Sequence, residues 1–230
     1  WCGPATAPRS SCSVSPMDSS LSLRLALSLP VRGQSTRLQL GANELVLESV
    51  RSGHTLLWSN GREARRYHLG LRTDGLLALR LRAPKLPLRV VLRDVLAIVP
   101  GGRVGGYLHL PLVPTLQWTG ADGVSCDVIE LLPPDLHGEW DEATGPWLHC
   151  PTTMHVRFPM RTGDARVVVP VRLHNDTADL VSPAHLPMPI ADSELREKRG
   201  CVVVAPRRLR WTKDGCAVAA RERCDHEVRT

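Results

Sequence analysis

A chain of 230 residues with a formal charge of +6, seven cysteines and an aromatic content of 4% is long enough for one large all-β domain or two small ones, and 43% apolar content suffices for a packed core. It holds no run of eighteen apolar residues, which excludes a membrane-spanning helix, and no basic start leads into an apolar run with a small-residue cleavage site, so a cytoplasmic protein is expected. Of the 29 basic residues only Lys85, Lys198 and Lys213 are lysines, a bias that GC-rich coding produces without functional pressure; with arginine spread along the whole chain and few aromatic platforms, the charge predicts an Arg-coated surface and argues against a nucleic-acid partner.

In chain order, Trp1–Pro16 lacks periodicity and is rich in Pro, Ser and Ala, a composition that buries too little to order itself. Patterning starts at Met17, so residues 1–16 read as a non-native or disordered extension and 17–230 as one β-rich domain. From Leu21 the leucines at 21, 23, 25, 27 and 29 alternate with polar or small residues, which is strand periodicity with one buried face. The pattern returns at Leu77, Leu79 and Leu81, at Leu88, Val90 and Leu92, at Leu108, Leu110 and Leu112, and at Val167, Val169, Val171 and Leu173. Turn pairs separate these runs: Asn60-Gly61, Asp74-Gly75, Gly101-Gly102, Asp122-Gly123, Gly163-Asp164 and Asp214-Gly215. The stretch 100–106 (PGGRVGG) is read as a wide turn between a strand ending at Val99 and one beginning at Tyr107. Pro84 and Pro87 interrupt the alternation, which places a break between two lobes near 83–87 while leaving too short a segment for a flexible linker. Only Asp192–Arg199 has helix-forming composition, and a charged loop explains it equally well. The expected fold is an all-β antiparallel β-sandwich with little or no helix.

Without Cys2 and Cys12 five cysteines remain, at 126, 150, 201, 216 and 224; an odd set without shared spacing predicts free thiols, with Cys150 and Cys201 packed as small apolar groups. The densest group of chemically useful side chains lies at 135–150: Asp135, His137, Glu139, Asp141, Glu142, His149 and Cys150, with Trp140 and Trp147 between them. Carboxylates beside imidazoles suit acid/base chemistry or cation binding, whereas a solvated hairpin tip with a tryptophan folded over the sheet end accounts for the same residues. No close Cys or His pair sets up a zinc site; His137, His149, Cys150 and Cys126 would have to converge from separate strands. No nucleophile elbow, phosphate loop or dinucleotide fingerprint is present, so neither cofactor nor metal is expected. Asn175-Asp176-Thr177 matches the glycosylation sequon.

Several of these stretches follow a shared pattern. Leu131 to Gly138, Glu139 to Gly145, and Pro146 to Cys150 form a strand, a Gly-bounded acidic loop and a strand ending in Cys; Val169 to Leu180 is a strand ending in Asn with a polar turn; His185 to Pro189 and Arg210-Trp211-Thr212 follow. Over about residues 85–220 this resembles the prokaryotic family termed domain of unknown function 432. The resemblance implies a β-rich fold and no assigned activity, and, from members encoded beside small mechanosensitive channels, an accessory role near a membrane. The expected function is therefore a non-enzymatic binding or accessory protein with a protein partner, for which the resemblance suggests such a channel, using His137, Glu139, Trp140, Asp141 and His149. A metal-dependent or acid/base hydrolase built on the 135–150 cluster is the alternative.

Overall fold

The computed structural model describes residues 23–40, 43–51, 53–59, 61, 63–70, 75–133, 136–158, 165–198 and 200–219. The extension at 1–16 with Cys2 and Cys12, the start at Met17, the residues Asn60, Asp74, Asp135 and Cys224, and the pair Gly163-Asp164 all lie outside them.

Every regular element described is a strand, apart from one 3-10 turn. In order these are β1 (Arg24–Leu27), β2 (Ser35–Leu40), β3 (Asn43–Val50), β4 (Gly53–Ser59), β5 (Ala64–Leu69), β6 (Leu76–Arg82), β7 (Leu88–Leu92), β8 (Arg103–Pro111), β9 (Val113–Thr119) and β10 (Ser125–Glu130). There follow β11 (His137–Asp141), β12 (Gly145–Thr152), β13 (Met154–His155), β14 (Arg166–Asn175), β15 (Leu186–Met188), β16 (Arg196–Lys198), β17 (Cys201–Val203), β18 (Arg207–Thr212) and β19 (Gly215–Ala219). The helix-like stretch at 192–199 resolves into a single 3-10 turn, Asp192–Glu194, running into β16. Asp192 explains the turn: its carboxylate accepts the Ala83 N–H at 2.6 Å and Arg82 Nε at 2.8 Å, while Glu194 accepts the Ala191 N–H and Arg207. Among the described residues no helix is long and apolar enough to cross a membrane.

The chain divides into two compact units. The first comprises Arg24–Arg80 and Pro114–Leu131; the second, Leu81–Val113 and the chain after Leu132. In the first unit β2, β3, β4 and β5 form an antiparallel meander and β1, β6, β9 and β10 a second four-stranded sheet. Their inward residues, among them Leu45, Leu47, Leu56, Trp58, Leu77, Leu79 and Leu116, make one apolar core. Of the alternating leucines foreseen from the sequence, Leu77 and Leu79 lie in this core and Leu25, Leu27 and Leu29 pack against it, because residues two apart on a strand share a face.

The second unit has its own core, formed by Leu88, Val90, Leu108, Leu110, Leu148, Cys150, Val169, Leu173, Leu186 and Leu209 among others. One of its sheets has the order β11-β12-β7-β15; the other runs β13-β8-β14-β17-β16, with β18 and β19 continuing from β14. Most pairings are antiparallel, but β12 runs parallel to β7 and β14 runs parallel to both β17 and β18. The Gly-rich stretch at 100–106 is shorter as a turn than its composition indicates: β8 already starts at Arg103, and Gly106 lies inside it. A Cβ at Gly106 would meet Met154 Cγ at 2.7 Å and the His155 carbonyl oxygen at 2.9 Å, so glycine here lets β13 approach β8. The hairpin foreseen at Asp214-Gly215 joins β18 to β19, with Lys213 and Asp214 at its tip and Gly215 already paired to Thr212.

Cys126, Cys150, Cys201 and Cys216 carry free thiols, and Cys150 and Cys201 are buried. Asn175 is also fully buried: Nδ2 donates to the Ile98 and Asp179 carbonyls at 2.8 and 2.7 Å, and Oδ1 accepts from Thr177 N–H and Oγ1. The amide that a glycan would modify is committed to closing a turn, so the sequon is a structural motif in this fold.

Candidate functional site

The residues singled out at 137–149 form a strand pair. β11 and β12 are joined through Glu142, Ala143 and Thr144, with His137 opposite His149, Glu139 opposite Trp147 and Asp141 opposite Gly145. The tip is set by Asp141, whose Oδ1 accepts the Ala143 and Thr144 N–H groups at 2.9 and 3.1 Å, and by Gly145 at φ +82°, a value that L side chains rarely adopt. Trp147 Nε1 donates to Thr144 Oγ1 at 2.6 Å.

Alternation then sorts the candidates. Leu148 and Cys150 on β12, Leu88 and Val90 on β7, and Leu186 and Met188 on β15 point into the core. His137, Glu139 and Asp141 on β11, Trp147 and His149 on β12, and Arg89 on β7 occupy the opposite face, with His149 aligned on Arg89. Trp140, out of phase with these, does not fold over the sheet end: it is 75% exposed. Four of the five candidate residues thus share one sheet face, and the fifth lies on the outermost strand of the same sheet. Asp135 lies outside the described residues.

Arg89, absent from the candidates read off the sequence, is the centre of the face. Its side chain is largely buried; Nη2 is 2.9 Å from Asp141 Oδ2, Nη1 is 4.0 Å from Glu139 Oε2, and the guanidinium sits 5.1 Å from the Trp147 ring centroid. This combines a charge-assisted hydrogen bond with a cation–π contact. Nε is buried with no hydrogen-bond partner. The Arg89 hydrogen bond, followed by the Ala143 N–H and Thr144, lowers the Asp141 pKa from 3.8 to about 2. His185, just before β15, is held below its ordinary pKa, first by burial and then by Arg89, with Asp141 and Glu139 pulling the other way. The signal that could have found Arg89 is its position in the alternation Leu88-Arg89-Val90, but pairing it with β12 requires a parallel register across some sixty residues of chain.

Neither His137 nor His149 is hydrogen-bonded to a carboxylate of the cluster, and among the described residues no group of three or more His, Cys, Asp or Glu side chains is placed to hold a metal ion. Cys126 lies on β10 in the first unit, and Cys150 points into the core of the second, on the side of β12 away from His149. No family model matches the chain, and neither a curated protein nor a solved structure is similar to it. The arrangement provides an Arg-centred, His- and Trp-lined sheet face, with an exposed tryptophan on the other side of its outermost strand.

Proposed function

We propose that the protein is a non-enzymatic, cytoplasmic binding or accessory protein of β-sandwich type that receives a protein partner on the β11–β12 hairpin and the face around Arg89. The supporting observation is the state of Asp141: bonded to Arg89 and to two turn amides, it is pinned as a carboxylate and has no proton to exchange near neutral pH. A general acid or base needs a pKa near the working pH, whereas a recognition face needs side chains fixed in place. Trp140 is exposed on the other face of β11, tryptophan and arginine are the side chains favoured at interface hot spots, and β11 is the end strand of its sheet among the described strands. The family resemblance adds a candidate, a small mechanosensitive channel.

The test is cross-linking capture from native cells, comparing the wild-type chain with Trp140→Ser and Glu139→Lys. The reading expects one specific partner to be lost with both variants while their melting temperatures stay unchanged. A partner set indifferent to both substitutions refutes it. Turnover of esters or phosphoesters that His149→Ala abolishes would instead establish the hydrolase alternative.

A further inference from the structure

Among the described strands the two sheets of the second unit have five end strands, and β11 differs from the others. β13 is two residues long, β15 is three with Pro187 in the middle, β16 is three and carries Arg196 and Lys198, and β19 has no charged side chain to select a partner. Shortness, proline and basic side chains are the means by which an exposed strand edge is kept from pairing. β11 has five residues in unbroken register with β12 and none of these devices. His137 to Trp140 are exposed along it, and Asp141 is half-buried.

The sequence of this edge is complementary to itself. When His137-Gly138-Glu139-Trp140-Asp141 runs antiparallel to a second copy about Glu139, His137 stands opposite the second copy's Asp141 and Gly138 opposite the second copy's Trp140, each pair occurring twice. Directly opposed residues lie on the same side of a sheet, with Cβ atoms about 5 Å apart. His137 and Asp141 both lie on the Arg89 face, and Gly138 and Trp140 both lie on the other, so this register carries each face unbroken across the two-fold axis.

The pairing of Gly138 with Trp140 uses two features that a single copy leaves idle. Trp140 is 75% exposed, and a Cβ at Gly138 would meet no atom within 4 Å, so the indole of one copy finds open space over the glycine of the other. An aromatic side chain across from a strand glycine shields the backbone that the glycine leaves bare. His137 brings a ring N–H toward an Asp141 carboxylate already fixed by Arg89 and two turn amides. One pair is unfavourable, Glu139 against itself, and Arg89 Nη1 at 4.0 Å from Glu139 Oε2 moderates it. The neighbouring registers are worse: centring on Trp140 opposes Glu139 to Asp141 twice, and centring on Gly138 carries Trp140 past the end of β11, opposite the buried Leu136.

We propose that β11 pairs antiparallel with β11 of a second copy of this chain, forming a two-fold dimer through one continuous sheet. The inference rests on the reading of the β11–β12 hairpin as a protein-binding element and names the occupant of its edge. A strand added in the plane of the sheet leaves the Arg89 face open and doubles it. Main-chain hydrogen bonds supply the affinity, and the opposed side-chain pairs supply the register. Two short strands and two tryptophans fall below the roughly 1,200 Å² at which stable interfaces begin, so the dimer is weak and concentration-dependent.

Sedimentation equilibrium of the purified full chain tests the assignment, in reductant so that the exposed Cys126 and Cys216 form no disulfides. The mass should rise with concentration from that of one chain toward that of two. W140S removes both indoles from the interface and should weaken association by at least about tenfold. E139Q removes the one like-charged pair and should strengthen it by up to about fivefold. Wild type mixed with E139K should form the mixed pair in preference to either homodimer, because opposite charges then meet at the two-fold axis. Both residues are exposed, so the variants are expected to melt as the wild type does; E139Q and the mixed pair carry the test should W140S not fold. A chain that stays monomeric at every concentration, or a dimer indifferent to W140S and E139Q, overturns the proposal. A monomer that still captures a different protein from cells through Trp140 overturns the second copy alone and keeps the hairpin as a binding element. A dimer that captures no further protein supports the proposal and refutes the wider reading.

Discussion

Replacing Asn175 by alanine tests whether one buried amide holds the second unit closed at the end that carries Val99 and Leu180. Asn175 is fully buried and makes four hydrogen bonds, two through Nδ2 and two through Oδ1. The Ile98 carbonyl retains the Val181 N–H at 3.0 Å and the Asp179 carbonyl retains Thr177 Oγ1 at 3.1 Å, so neither acceptor is orphaned, but the Thr177 N–H loses the Asn175 Oδ1 acceptor. At a net value near 1 kcal/mol per bond, less what the remaining partners recover, the loss comes to about 3 kcal/mol. In a domain of this size that lowers the melting temperature by about 6–12 °C. Thr177→Ala, which removes a hydroxyl from the same network, should cost about 1 kcal/mol and combine with Asn175→Ala sub-additively. Asn175→Asp should be worse than alanine, because it turns a carboxylate oxygen toward two carbonyls. Thermal and urea unfolding read all three variants. A loss below about 1 kcal/mol for Asn175→Ala would refute the network as the element that closes this turn.

The acid limb of stability should depend on Arg89. Asp141 has a folded pKa depressed from 3.8 to about 2, so its contribution is complete above 3.8 and disappears as pH falls toward 2; in Arg89→Met the Asp141 titration, followed by NMR, should move back up and that part of the acid dependence should vanish. Gly106→Ala should destabilise by about 1–3 kcal/mol and speed amide exchange in β13, since the added methyl collides with Met154 and the His155 carbonyl. Among the described cysteines, mass spectrometry of alkylated peptides should find Cys126 modified first, Cys216 more slowly because burial raises its thiol pKa, and Cys150 and Cys201 only on unfolding.

The strand content was legible because period two is a local property. Leu77, Leu79 and Leu81 alternate with polar or small neighbours whatever sheet they join, and β6 forms where they do. Partnership is not local. Nothing in Leu88-Arg89-Val90 indicates that β7 lies parallel to β12, or in 114–131 that this segment belongs with residues 24–80. Parallel pairing needs a long crossover, so its register is fixed by packing of the two buried faces and leaves no turn signal in the sequence. The Gly-rich stretch at 100–106 was ambiguous for a related reason: Gly101 and Gly102 turn the chain, but Gly105 and Gly106 continue in a strand, and only the approach of β13 distinguishes the two uses.

The same limit governs the two polar faces. His137, Glu139 and Asp141 are spaced two apart, so their common face on β11 was implicit in the sequence, whereas the arginine that neutralises them was not. The arginines are scattered along the chain in sequence: Arg103, Arg172, Arg208 and Arg210 span 107 positions, from 103 to 210. Registry brings them together, since β14 takes β8 on one side and β18 on the other, and the alternation of each strand then directs every arginine outward. A composition bias supplies arginines at many outward positions, and several of those described have an acid beside them, as Arg89 has Asp141 and Arg82 has Asp192.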